Sequence, residues 1–156
     1  MASMAELLIP SMVFPVFTRS LLKKESANRG ISSVLSLKGG KLIGHNNFFF
    51  DMPFIVHRSW VCDVPVPDQL RTKYRTWNQI LRDTMEEWKL GVYNARIKLD
   101  VLGYILGEGR KPEGVDGAMF AGLWRGTTEE RQTAIDYLVN DVVLTWRCAV
   151  RLGVAP

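Results

Sequence analysis

The sequence predicts a single domain of the α/β class, and three observations point there. Two short apolar runs, Lys41-Leu-Ile-Gly44 and Ile80-Leu-Arg-Asp-Thr84, suit buried strands that end in loops. Two longer segments, Ile97 to Leu106 and the stretch after Thr127, place apolar residues at helical spacing. The chain has 156 residues, with 47% hydrophobic and 23% charged side chains. That is enough to bury roughly two-thirds of the surface an unfolded chain exposes, and it excludes a disordered or fibrous protein.

The elements follow in order. Residues 1 to 40 read as a divergent basic segment: Leu7 to Phe17 is apolar without a decisive period, and Ser20 to Gly30 is polar. The strand from Lys41 closes at Gly44, and a helix is expected through Pro53 to Trp60. Proline is tolerated in a first helical turn because the N–H it lacks has no intrahelical partner there. Val64-Pro-Val-Pro67 breaks that helix. The second strand follows at Ile80 to Thr84. The next helix carries Ile97, Val101, Leu102, Ile105 and Leu106 on its apolar face and should stop at Gly107. The run from Gly107 to Gly117 holds four glycines and a proline, so it reads as a loop that presents Arg110 and Lys111 to solvent. Thr127 with Glu130 three positions later is a capping box. The helix it opens runs to Gly153, a natural C′ residue, with Ile135, Leu138, Val142, Trp146 and Ala149 as its apolar stripe. Tyr137 and Asp141 share a neighbouring face, one turn apart.

Charge is unevenly placed. The net charge is +4, and the first fifty residues carry six basic side chains against Glu6 and Glu25, while the remainder is balanced. A basic end of this kind suits contact with phosphate or, equally, a solvated surface. Cys62 and Cys148 stand at no metal-ligand spacing and make no disulfide framework, which fits a reducing compartment, the cytoplasm. The apolar stretch from Ala5 to Phe17 is short and interrupted by Pro10 and Pro15, so neither a signal peptide nor a membrane span is expected.

Two clusters could carry chemistry. In Gly44-His45-Asn46-Asn-Phe-Phe-Phe50-Asp51-Met-Pro53-Phe54, followed by Arg58 and Ser59, a strand end, a loop and a helix start set one carboxylate, Asp51, beside aromatic rings. Such a carboxylate either pairs with positive charge or has its pKa raised. In Tyr137-Leu-Val-Asn-Asp141 an acceptor-only carboxylate lies one helical turn from a phenol, an arrangement that suits a divalent cation and a water on it. Taken alone, a Tyr and an Asp four apart also occur on ordinary helices.

Together and in this order, the two clusters resemble the second and third motifs of the DEDDy class of 3′→5′ exonucleases. Asp83-Thr-Met, Leu99 to Gly107, and Gly114-Val-Asp-Gly117 through Leu123-Trp124 resemble the intervening stretches of bacterial proteins related to the proofreading domain of family B DNA polymerases. The resemblance covers residues 41 to 153. It implies an RNase H-like fold and hydrolysis of nucleotides from a single-stranded 3′ end by two divalent ions, Mg²⁺ or Mn²⁺, about 4 Å apart. By that resemblance Asp51 and Asp141 are metal-binding carboxylates and Tyr137 orients the attacking water. Asn46 and Phe50 lie beside the terminal nucleotide, the ring by stacking, and Arg58 faces nucleic acid. His45 reads as a loop-shaping residue and Asp83 as a strand-end residue.

The sequence departs from the family at its first motif. No Asp-x-Glu occurs in the chain, and Glu6 and Glu25 are the only acids before Gly44. With half the metal shell missing, weak or no turnover is expected. Only 43 residues precede Gly44, so the opening sheet is expected to be shortened or rearranged, leaving an edge through which copies could pair. The alternative to an exonuclease is therefore a nuclease-dead module that binds a 3′ end, with Lys41, Arg58, Arg110 and Lys111 as basic contacts, or a structural remnant of the family.

Overall fold

The structure, a computed structural model, describes residues 41–67, 70, 80–111, 114–115 and 117–155. The expectations for the basic segment 1–40, including Glu6 and Glu25, lie outside the described residues. Those residues form five helices and a two-stranded parallel sheet, a mixed architecture of the α/β kind. They fall into two compact units, one ending at Asp83 and the other beginning at Thr84.

In the first unit, β1 (Leu42–Gly44) pairs in parallel with β2 (Leu81–Asp83), with Leu42 opposite Leu81 and Gly44 opposite Asp83. A parallel pair cannot be closed by a tight hairpin; it needs a crossover, and α1 (Asp51–Val61) stands in that connection. All three residues of β1 are buried, as in a strand covered on both faces. Helix α1 buries Met52, Ile55, Val56 and Ser59. The Ser59 hydroxyl is satisfied locally, donating to the Ile55 carbonyl at 2.8 Å, so its place behind Asp51 is structural. The chain leaves α1 through Val64-Pro65-Val66-Pro67, where both valines are buried and no helix continues.

In the second unit, α2 (Thr84–Lys89), α3 (Leu99–Leu106), α4 (Phe120–Arg125) and α5 (Thr128–Arg151) pack mainly on α5. Helix α5 has 24 residues. Its start is the expected capping box: Thr127 accepts from the Glu130 N–H, and the Glu130 carboxylate accepts from the Thr127 N–H at 2.7 Å. Gly107 ends α3 at φ +74°, and Gly153 follows α5 at φ +75°, both in the left-handed region where a side chain is strained.

The buried faces of the two longer helices are rotated from those the apolar spacing predicts. On α3 the buried residues are Leu99, Leu102 and Gly103, while Val101 and Ile105 are exposed. On α5 they are Ala134, Tyr137, Leu144, Thr145, Cys148 and Ala149, and Ile135 is 40% exposed. Helix α5 is apolar round more than one face, so its period alone does not choose the face; its partners do. Leu144 and Cys148 meet Leu99 and Leu102 of α3, while Ala134 and Tyr137 meet Phe120 of α4. Leu138 joins the second cluster from its rim.

Candidate functional site

The loop between β1 and α1 is built by one buried carboxylate. Asp83, at the end of β2, is 1% exposed and accepts the N–H of Asn46 at 2.8 Å with one oxygen and that of Phe48 at 3.0 Å with the other. The Asn47 amide donates to the Arg82 carbonyl at 2.9 Å, tying the same loop to the same strand. Gly44 admits this approach: a Cβ there would stand 2.7 Å from the Asn47 side chain. Asn46 takes a positive φ of 63°, which asparagine tolerates better than most residues, and its carbonyl accepts from the Phe50 N–H at 3.0 Å. Asp83 is thus the strand-end residue expected of it, and Asn46 acts through its backbone.

The fixed loop sorts its three phenylalanines. Phe48 is buried, Phe49 is exposed, and Phe50 is 68% exposed immediately before Asp51. Asp51 begins α1, where the helix N-terminus favours negative charge. Burial nevertheless raises its pKa from 3.8 to about 6, with a further push from the Asp83 charge, against a backbone hydrogen bond that lowers it. Arg58 lies on the same helix, half-buried, with its guanidinium 3.9 Å from the Cys62 sulfur. Asn46, Phe50, Asp51 and Arg58 therefore all belong to the first unit.

Tyr137 and Asp141 belong to the second, and what they face differs from the expectation. Lys111 does not point to solvent: its ammonium lies 2.8 Å from Asp141 Oδ2 and donates to the Tyr137 hydroxyl at 3.1 Å. Burial opposes that charge, but the hydrogen bonds to Asp141 and Tyr137 and their charges outweigh it, so the Lys111 pKa is raised. The backbone N–H of Lys111 donates to Asp100 Oδ1 at 2.8 Å, at the start of α3. Tyr137 is buried, and the second Asp141 oxygen, Oδ1, is buried without a hydrogen-bond partner among the described residues. Arg110 is exposed as expected, but its guanidinium stacks 3.9 Å above the Tyr104 ring.

Lys111 and Asp100 are the residues that sequence reasoning missed as part of this cluster. Their partners are 26 and 30 positions away for the ammonium and 11 for the backbone, spacings that no helical or strand period marks. The donor sets at these two places do not fit a pair of divalent ions. Asp83 spends both oxygens on backbone N–H groups, Asp141 spends one on Lys111, and no three His, Cys, Asp or Glu side chains gather around a common point among the described residues.

No protein-family model matches the chain, and no curated protein or solved structure is significantly similar to it. Among the described residues no helix is long and apolar enough to cross a membrane.

Proposed function

We propose that this chain binds single-stranded 3′ ends of nucleic acid as an RNase H-like relative of the DEDDy exonucleases, with hydrolysis weak or absent. The observation that carries the reading is the loop 45–50, fastened by Asp83 and presenting the Phe50 ring to solvent beside Asp51. A ring held on a rigid loop loses little entropy when a base stacks on it. The order of Gly44-His45-Asn46, Phe50-Asp51 and Tyr137 to Asp141 along the chain supports the family side of the proposal. Lys41, exposed next to β1, and Arg58 supply positive charge in the same unit. The Lys111 ammonium on Asp141 supports the loss of turnover.

Binding of a 5′-labelled single-stranded oligonucleotide, followed by fluorescence anisotropy, tests the proposal. Phe50→Ala should weaken binding about tenfold, since stacking on one base is worth roughly 1 to 3 kcal/mol. Absence of binding by the wild-type protein would end the nucleic-acid reading. Incubating the same oligonucleotide with Mg²⁺ or Mn²⁺ should leave its length unchanged. Metal-dependent shortening that disappears in Asp141→Ala would instead establish an active exonuclease.

A further inference from the structure

Lys111 is held at both ends by different helices. Its backbone N–H is fixed by Asp100 at the first turn of α3, and its ammonium by Tyr137 and Asp141 on α5. The ion pair is largely covered, with side-chain exposures of 24% for Lys111 and 26% for Asp141. We infer that Lys111 is the resident cation of the Tyr137–Asp141 pair: its ammonium takes the place that a divalent ion would need, and the pair fastens the segment 107–111 rather than coordinating metal. This deepens the reading of the same residues but rests only on contacts within the second unit, so it stands or falls independently of nucleic-acid binding.

The physical reasons are charge, ligand count and loop entropy. One ammonium neutralises one carboxylate, whereas a divalent ion would have to expel the lysine and leave its charge half-buried without a counter-ion. A magnesium-type ion wants about six oxygens at roughly 2.1 Å. Here one carboxylate and one phenol are offered, and the remaining carboxylate oxygen is buried away from the water that would complete the shell. The segment leading to Lys111 holds Gly107 and Gly109, so ordering it costs more backbone entropy than usual. A residue pinned at main chain and side chain offsets that cost where it matters, between α3 and α5. The nearby Tyr137 ring adds to the seat, with the ammonium 5.1 Å from its centroid and closer to its hydroxyl edge.

Thermal unfolding of the full chain without nucleic acid is the test. The wild-type Tm should be the same in EDTA and in millimolar Mn²⁺. Lys111→Met should lower Tm by roughly 5 to 10 °C, because it strands a half-buried carboxylate. Adding Asp141→Asn to that variant should recover at least half of the loss, since the stranded charge is then gone. A Lys111→Met protein that melts like the wild type would overturn the inference. So would a Mn²⁺-induced rise in the wild-type Tm that vanishes in Asp141→Asn, because metal would then be displacing the lysine. Should Lys111→Met fail to fold, hydrogen exchange of the wild-type protein decides: amides of residues 107–111 should exchange identically with and without Mn²⁺, and a Mn²⁺-dependent change in that segment would refute the strap.

Discussion

Asp51 and Asp83 show how one residue type takes two roles by environment. Asp83 has both oxygens on backbone N–H groups and serves the loop; Asp51 is half-buried beside that charge, with its pKa raised to about 6. The linkage follows from that direction. A carboxyl whose pKa is higher in the folded than in the unfolded state binds its proton more tightly when folded, so its contribution to stability is lost as pH rises from about 4 to about 6 and is constant above. Asp51→Asn should therefore be more stable than the wild type at pH 7, by up to about 3 kcal/mol, and the gap should close near pH 4. Urea unfolding of both proteins across that range measures it. Asp83→Ala should act in the opposite sense, leaving two buried N–H groups without acceptors at a cost of about 2 to 5 kcal/mol. Its urea midpoint at pH 7 is the check.

The capped start of α5 and the glycine stops of α3 and α5 were legible in the sequence because their chemistry is local. Thr127 and Glu130 satisfy each other's backbone groups within one turn, and Thr127→Ala should cost about 1 kcal/mol, read as a lowered midpoint in denaturant. Helix faces were not legible. Val101 and Ile105 have the right spacing for a buried stripe, yet they lie outside, because Gly103 rather than a larger side chain is what lets α3 approach α5. A Cβ at Gly103 would stand 2.7 Å from Leu144 and 2.8 Å from the Gly109 carbonyl. Gly103→Ala should thus destabilise by about 1 to 3 kcal/mol through overpacking. Gly122→Ala on α4, where an added Cβ meets nothing within 4 Å, should stabilise by up to about 1 kcal/mol. Thermal melts of the pair separate backbone propensity from packing.

For the whole molecule, charge and composition speak to binding rather than to fold. The net charge of +4 lies in the first fifty residues, while the remainder is balanced. If the proposed binding of a single strand uses two such positive charges, its affinity should fall about five- to tenfold between about 50 and 200 mM salt, a slope that titrations at several ionic strengths report directly. Stacking on Phe50 is far less sensitive to salt, so Phe50→Ala should shift the curve without changing its slope.

By itself the sequence determined the features that depend on neighbours: the strand ending at Gly44, the stop of α3 at Gly107, the start and stop of α5, the break at Pro65 and Pro67, and the presence of Asp51 at a helix start beside aromatic rings. These follow from backbone rules that act over a few residues. Only the tertiary structure decided which faces of α3 and α5 are buried, that Asp83 clamps the loop 37 and 35 positions before it, and that Lys111 faces Tyr137 and Asp141. Each of those outcomes is set by which distant group arrives to satisfy a buried charge or fill a buried surface, and no local period encodes that.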